Sequence, residues 1–217
     1  DFSLDIPSYQ KKLAELSDTY KDKIQIRFGI ELGLQMHLGE YFDSLLAQVP
    51  FDFAIGSSHL VHGYDPYYPE FFEGRKEFLC YMEYFESILE NISVYDGFDV
   101  YGHIDYVVRY GPNKNREYSY GRYKDILDEI LLKLISKGKG IELNTGGYHY
   151  GLGEPNPCTA VIKRYRELGG EIITIGADAH TPDKVAYAFD KAATVLENCG
   201  FRYYTVFKDH KPEFISL

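Results

Sequence analysis

The chain has 217 residues, of which 45% are hydrophobic and 26% are charged, and its formal net charge at pH 7 is -10. This length and apolar content predict one globular domain over residues 1–217 and exclude a disordered chain. The negative charge argues against a nucleic-acid partner, because binding to a phosphate backbone depends on lysine and arginine.

The sequence shows no sign of a membrane or of an oxidising compartment. No apolar run reaches the roughly 20 residues that span a bilayer, and no charged-then-apolar signal sequence opens the chain. Cys80, Cys158 and Cys199 are far apart and lack C-x-x-C spacing, so we predict free thiols. We therefore expect no membrane partner and a cytoplasmic location.

The predicted helices and strands alternate along the chain. Apolar residues at helical spacing predict helices, and short apolar runs predict strands. In chain order we predict helix 8–20, strand 24–32, helix 38–49, strand 51–57, helix 68–92, strand 98–103, helix 118–136, strand 139–145, helix 157–168, strand 171–176, helix 183–199 and strand 202–207. This alternation predicts an α/β fold with a parallel sheet, and about six such units favour a barrel over an open doubly wound sheet.

Acidic and histidine side chains occur where the predicted strands end. Asp178 and His180 follow the fifth strand, and residues i and i+2 of an extended segment point to the same side. The first three strands end at or near Glu31, His59 and His103. Strand C-termini meet at one face of a parallel barrel, so we expect the five side chains to converge. Such histidine and carboxylate ligands suit zinc, manganese or iron.

Each of these residues also has an ordinary structural explanation. Asp178 could cap the next helix, and His180 could be a surface histidine. Glu31 could form a salt bridge at a strand end, and His59 could belong to a turn. Independent explanations of this kind at every strand end are improbable together, so the metal site remains the favoured interpretation.

Other polar residues also lie near the strand ends. Asp105 lies two residues after His103, and a carboxylate behind a ligating imidazole is a common partner. Residues 144–147 either line the pocket or form a glycine-containing turn. His62 is expected to face solvent or to line the pocket. The histidines outside this context are expected to be structural or at the surface: His37, His149 and His210.

Four short motifs contain these strand-end residues. They are Gly29-Ile-Glu31, Gly56-Ser-Ser-His59, Gly102-His103-Ile-Asp105 and Gly176-Ala-Asp178-Ala-His180. Together, in this order and across nearly the whole chain, they resemble the polymerase-and-histidinol-phosphatase (PHP) superfamily, and most closely its histidinol-phosphate phosphatase branch. The resemblance implies a distorted TIM-like β/α barrel with up to three divalent metal ions at the strand C-termini.

The resemblance also implies a role for each strand-end residue. Glu31 is similar to the carboxylate that bridges the first and second metals. His59 and His103 resemble ligands of the second metal, Asp178 of the first and His180 of the third. Asp178 and His180 are therefore also the implied catalytic residues.

Two arginines are candidates for binding a substrate phosphate. Arg109, six residues after His103, resembles an arginine with this role in the branch. The alternative is that Arg109 is an exposed loop residue. Arg75 is a weaker candidate, because nothing in its spacing places it near the metals. The resemblance implies a small phosphate ester as partner, and hydrolysis of L-histidinol phosphate in histidine biosynthesis as the reaction. Another phosphate ester, or a catalytically incomplete metal-binding domain, remains an alternative.

The beginning of the chain departs from the family pattern. The family begins with a strand that carries His-x-His and a second strand that ends on histidine, and this sequence contains no His-x-His. Its first strand matches the family's third, so we expect the first strands, with most ligands of the first and third metals, to be missing. Exposed strand edges would then favour a homo-oligomer.

Overall fold

A parallel sheet of five strands forms the centre of the molecule. The computed structural model describes residues 4–217, so the first three residues of the predicted domain lie outside the described part. The strands are β1 (Gly29–Gly33), β2 (Phe53–Ser57), β3 (Val100–Tyr101), β4 (Gly140–Asn144) and β5 (Ile173–Gly176). They lie side by side in chain order, and every neighbouring pair is parallel. Sequential order is that of a barrel wall, whereas a doubly wound sheet reverses its order at a switch point.

Seven α-helices accompany the sheet in the described part of the chain. They are α1 (Ile6–Tyr20), α2 (Gly39–Gln48), α3 (Glu77–Val94), α4 (Lys124–Ser136), α5 (Gly146–His149), α6 (Thr159–Glu167) and α7 (Phe189–Asn198). The long helices α3 and α4 pack against each other and supply much of the core. No helix within residues 4–217 combines the length and the apolar character needed to cross a bilayer.

Three predicted helices begin later than their sequence patterns indicate. Residues 69–71 form a short 3-10 turn, and Gly74 has a φ of 68°, so α3 begins only at Glu77. A second 3-10 turn precedes α4. Ala186 and Ala188 have positive φ, which delays the start of α7. In each case the helical spacing of apolar residues extends into the residues before the helix. A left-handed or 3-10 backbone there prevents regular α-helical geometry.

The last predicted strand is part of a separate hairpin. It is β6 (Tyr203–Lys208), and it pairs antiparallel with β7 (Lys211–Ser216), a strand that the sequence pattern did not indicate. The two residues between them, Asp209 and His210, have φ values of 49° and 58°, as a tight two-residue hairpin turn requires. His210 was expected to be structural or at the surface; it is exposed, and its Nδ1 lies 2.9 Å from Asp99 Oδ2.

Aromatic side chains fill much of the core. Fully buried examples include Tyr81, Tyr84, Tyr101, Tyr123, Tyr165, Phe85 and Phe98. The hydroxyl of Tyr84 donates to the carbonyl of Ser58 at 2.9 Å, which ties the core to the loop after β2. The three cysteines are free and buried, as predicted.

The buried tyrosines predict a loss of stability in alkali. Burial raises the pKa of Tyr84 and of Tyr118 well above the ordinary value, whereas in the unfolded chain both ionise near a pH of about 10. Their contribution to stability is therefore complete below that pH and is lost as the pH rises toward the folded pKa. Urea denaturation at increasing pH should show a falling free energy of unfolding above about pH 10. A free energy that stays constant there would contradict the buried, neutral state of these phenols.

Two adjacent leucines of α4 allow a matched test of the core. Leu131 is fully buried, whereas Leu132 is 49% exposed. We expect Leu131→Ala to lower the free energy of unfolding by about 2–5 kcal/mol, because it removes buried methyl groups and leaves a cavity. Leu132→Ala should change it by less than about 0.5 kcal/mol. Equal effects in chemical denaturation would show that the described face of α4 is wrong.

Candidate metal centre

Three predicted metal ligands meet at the C-terminal edge of the sheet. Glu31 lies within β1, and His59 and His103 each lie two residues beyond the ends of β2 and β3. Nε2 of His103 is 3.2 Å from Glu31 Oε1, and Nε2 of His59 is 3.4 Å from the same oxygen. One ligand atom from each residue lies within 4.8 Å of the others. The sheet therefore brings a carboxylate and two imidazoles to one point.

The environment of the cluster favours an ionised glutamate and a neutral His59. Burial by itself would raise the pKa of Glu31, but the hydrogen bond and charge of His103, with His59 and Ser57, hold it well below its usual range. Burial, together with the neighbouring His103, lowers the pKa of His59. An ionised carboxylate and a neutral imidazole are the forms that bind metals.

The cluster is closed on one side and open on the other. The side chain of His103 is only 3% exposed, whereas those of His59 and Glu31 are 35% and 38% exposed. The Ser57 hydroxyl donates to Glu31 Oε1 at 2.6 Å and orients the carboxylate. A small ligand can therefore reach the three residues from the solvent side.

The second ring nitrogen of His103, Nδ1, is buried without a hydrogen bond among the described residues. The prediction that Asp105 supports this ring is wrong, because the Asp105 carboxylate accepts from Asn156 Nδ2 at 2.5 Å and from the Cys158 amide at 2.7 Å. His103 has a φ of 23°, so the segment is not extended and its side chains do not alternate as a strand's would.

The residues present fit a divalent metal. Carboxylate and imidazole donors suit zinc, and three protein ligands leave a position open in a catalytic zinc site. The nitrogen of His103 that faces Glu31 is Nε2, so the donor set of this cluster is one carboxylate oxygen and two imidazole nitrogens. This donor set is consistent with an ion at this position.

Asp178 and His180 lie beside the cluster but do not join it. Oδ2 of Asp178 accepts a 2.6 Å hydrogen bond from Arg109 Nη1, and Oδ1 lies 3.2 Å from His180 Nε2. The side chain of His180 is 83% exposed. Asp178 has a φ of 52°, so this segment also lacks the extended geometry that the sequence pattern suggested. The metal-binding and catalytic roles of Asp178 and His180 remain predictions.

Arg109 is buried at the centre of a polar network, so the alternative of an exposed loop residue is wrong. Its Nε donates to Asn156 Oδ1 at 2.8 Å, and Nη2 donates to Asn144 Oδ1 at 3.2 Å. The guanidinium carbon lies 4.7 Å from the centroid of the Tyr150 ring and 5.4 Å from that of Tyr106. Ion pairing with Asp178 and stacking on aromatic rings together offset the cost of burying this charge.

Arg75 lies in a different environment. Its guanidinium forms an ion pair with Glu83 and donates to the Phe71 carbonyl at 3.1 Å. Neither contact involves a predicted metal ligand. The predicted role of Arg75 in phosphate binding therefore has no support from these contacts.

The sequence assigned no role to Glu142 and Asn156 and left two alternatives open for Asn144. Glu142 is a charged residue between the apolar Ile141 and Leu143 of β4, and this exception was the available signal. Asn144 belongs to the segment that was expected either to line the pocket or to form a turn. Asn156 lies in a loop before Pro157, where no periodic pattern marks it. Only its hydrogen bonds to Arg109 and Asp105 identify it as part of the site.

Sequence comparison places the chain among known phosphatases. The PHP domain family matches residues 4–146. The histidinol-phosphatase of Lactococcus lactis subsp. lactis (strain IL1403) is 31% identical over 212 residues, which cover 97% of this chain and 78% of that protein. A probable histidinol-phosphatase of Clostridium acetobutylicum is 30% identical over 205 residues, which cover 93% of this chain and 77% of the relative.

Solved structures agree with these relatives. The crystal structure of the Lactococcus lactis histidinol phosphate phosphatase, complexed with zinc, L-histidinol and phosphate, has a TM-score of 0.91 at 30% identity and covers 98% of this chain and 81% of that one. A putative histidinol phosphatase of Listeria monocytogenes has a TM-score of 0.74 at 18% identity, and the match covers 86% of this chain and 75% of that one. At this identity the match supports the fold alone. These matches confirm the predicted α/β fold of the PHP type, and the chain belongs to the PHP domain family.

Proposed function

We propose that the chain is a metal-dependent phosphatase that hydrolyses L-histidinol phosphate to L-histidinol and phosphate. The observation that carries the proposal is the cluster of Glu31, His59 and His103 in a chain that is 31% identical to a histidinol-phosphatase over almost its whole length. The structural neighbour with zinc, histidinol and phosphate bound supports the same substrate. The reaction would serve histidine biosynthesis.

The metal would be held by the three clustered residues. A divalent cation there, for which zinc is the proposed identity, would supply positive charge beside the phosphoryl oxygens of the substrate. Ser57 keeps the Glu31 carboxylate aimed at the two imidazoles. The buried His103 fixes the inner side of the cluster, and the half-exposed His59 is at its solvent side.

Arg109 is the proposed phosphate-binding residue. A guanidinium has five N–H donors, and the contacts with Asp178, Asn156 and Asn144 involve one donor each from Nη1, Nε and Nη2. The remaining donors can bind phosphate oxygens. Because the guanidinium is already oriented and buried, its charge acts on an anion in a medium of low dielectric constant.

Aromatic residues line the site beside both the cluster and the arginine. The ring centroid of Tyr106 lies 5.0 Å from that of His59 and 5.2 Å from that of His103. Tyr110 packs on Tyr106 at 5.0 Å, with an edge-to-face geometry. Such a lining excludes water from one side of the site and thereby strengthens the electrostatic interactions within it.

One observation favours a second candidate function, a metal-binding domain without phosphatase activity. Asp178, a predicted ligand of another metal, is paired with Arg109 instead of joining the cluster. A chain that binds one ion at Glu31, His59 and His103 but turns over no phosphate ester would fit this alternative.

The substrate proposal can be tested by comparing phosphate esters. With zinc supplied, we expect a higher kcat/KM for L-histidinol phosphate than for nucleotide monophosphates and sugar phosphates, measured as released inorganic phosphate. Activity without a preference for histidinol phosphate would point to another small ester. A chain that binds zinc but releases no phosphate from any ester would support the metal-binding alternative.

The metal ligands can be tested with two histidines of one loop. His59→Ala should weaken zinc binding by more than about 100-fold. Removing a metal ligand should cost more zinc affinity than removing a residue that only supports a ligand. His62→Ala should leave the zinc affinity unchanged, because His62 is exposed and lies outside the cluster. Competition with a chromophoric chelator measures both affinities. Equal affinities for wild type and His59→Ala would remove His59 from the site.

A further inference from the structure

A buried carboxylate lies behind the metal cluster and is not explained by the proposed chemistry. Glu142 is only 5% exposed in the middle of β4. No lysine or arginine within residues 4–217 forms an ion pair with it. An unpaired carboxylate in the interior costs several kcal/mol, in order of magnitude, unless other groups stabilise it. Its hydrogen bonds therefore indicate what it does.

The two hydrogen bonds of Glu142 lead to opposite sides of the site. Its Oε2 accepts from the backbone amide of His103 at 3.2 Å and from Asn144 Nδ2 at 2.9 Å. His103 belongs to the metal cluster. The amide oxygen of Asn144 accepts from Arg109 Nη2 at 3.2 Å. One carboxylate oxygen thus connects the metal-binding and phosphate-binding halves.

The bond to His103 acts on a strained backbone position. His103 has a φ of 23°, a left-handed value that is unfavourable for a residue with a side chain. A hydrogen bond from its own amide to Glu142 holds the residue in this conformation. The direction of the imidazole toward Glu31 depends on the same backbone geometry.

The bond to Asn144 fixes the orientation of an amide that could otherwise flip. With Nδ2 donating to Glu142, Oδ1 must face the donors Arg109 Nη2 and the Gly146 amide, the latter at 2.9 Å. A flipped amide would present its NH2 group to Arg109 and lose that bond. Glu142 therefore determines which atom of the Asn144 amide faces Arg109.

The neighbouring strands leave space for this carboxylate. A Cβ atom at Gly176, at the end of β5, would overlap Oε1 of Glu142. Glycine at this position thus allows a glutamate side chain to fit beside the end of β5.

We propose that Glu142 is a positioning residue that holds His103 in the metal cluster and, through Asn144, orients Arg109. The proposal rests on the proposed function and names a further residue that it needs. Positioning by hydrogen bonds makes a specific demand: an oxygen acceptor must remain at the place of Oε2, whereas the charge itself is dispensable.

Three substitutions of Glu142 separate these requirements. Glu142→Gln keeps an oxygen acceptor at the same reach, so its zinc affinity should stay within about threefold of wild type. Glu142→Asp keeps the charge, but its shorter side chain moves the acceptor oxygen away from its partners. Glu142→Ala removes both the charge and the acceptor. Both should weaken zinc binding by about 10- to 100-fold, as is typical when support behind a metal ligand is lost. Thr174→Val, at the register partner on β5, is the matched control and should bind zinc as wild type does.

The measurements are zinc affinity by chelator competition, thermal unfolding of the metal-free protein, and kcat and KM for histidinol phosphate. Rescue by glutamine but not by aspartate supports positioning. Zinc affinity that is unchanged in both Glu142→Ala and Glu142→Asp overturns it, and so does a Glu142→Gln variant as weak as Glu142→Asp. If Glu142→Ala does not fold, the comparison of glutamine with aspartate decides alone. A wild-type chain that binds no zinc would contradict the proposed function instead.

Discussion

The site depends on the parallel register of the first three strands. Gly33 of β1 pairs with Ser57 of β2, and Gly56 pairs with Tyr101 of β3, so successive strands end at the same edge. Neighbouring strands are about 4.8 Å apart, and residues just beyond their ends therefore come within reach of a common ligand. A one-residue slip would turn Glu31 to the opposite face of the sheet. The metal cluster is a direct consequence of this register.

Behind the cluster, the structure stabilises buried charges by hydrogen bonds as well as by ion pairs. Arg109 is balanced by Asp178 and by the amide oxygens of two asparagines. Burial raises the pKa of Asp105 to about 6, and the carboxylate accepts from Asn156 and from the backbone of Cys158. These groups are linked, because Asn156 contacts both Asp105 and Arg109. Loss of one member would leave another buried polar group without its partner.

The proposed metal site and the proposed phosphate-binding arginine are therefore adjacent parts of one polar core. Glu31, His59 and His103 can hold a cation, and Arg109 supplies a second, permanent positive charge beside Asp178. Two positive charges suit the dianionic group of a phosphate monoester, whose hydrolysis is among the slowest uncatalysed reactions. The similarity to histidinol-phosphatases agrees with this arrangement.

Local patterns in the sequence were sufficient for the order of helices and strands, the parallel sheet and the three residues Glu31, His59 and His103, because strand periodicity and chain order together determine which ends meet. They were insufficient for the partners of Asp178 and Asp105. Those partners depend on positive φ values at Asp178 and His103 and on contacts with residues far away in the chain, which no short pattern contains. The β6–β7 hairpin and the hydrogen bonds of Glu142 were likewise decided by tertiary structure, because hydrogen bonding across the sheet requires its final geometry.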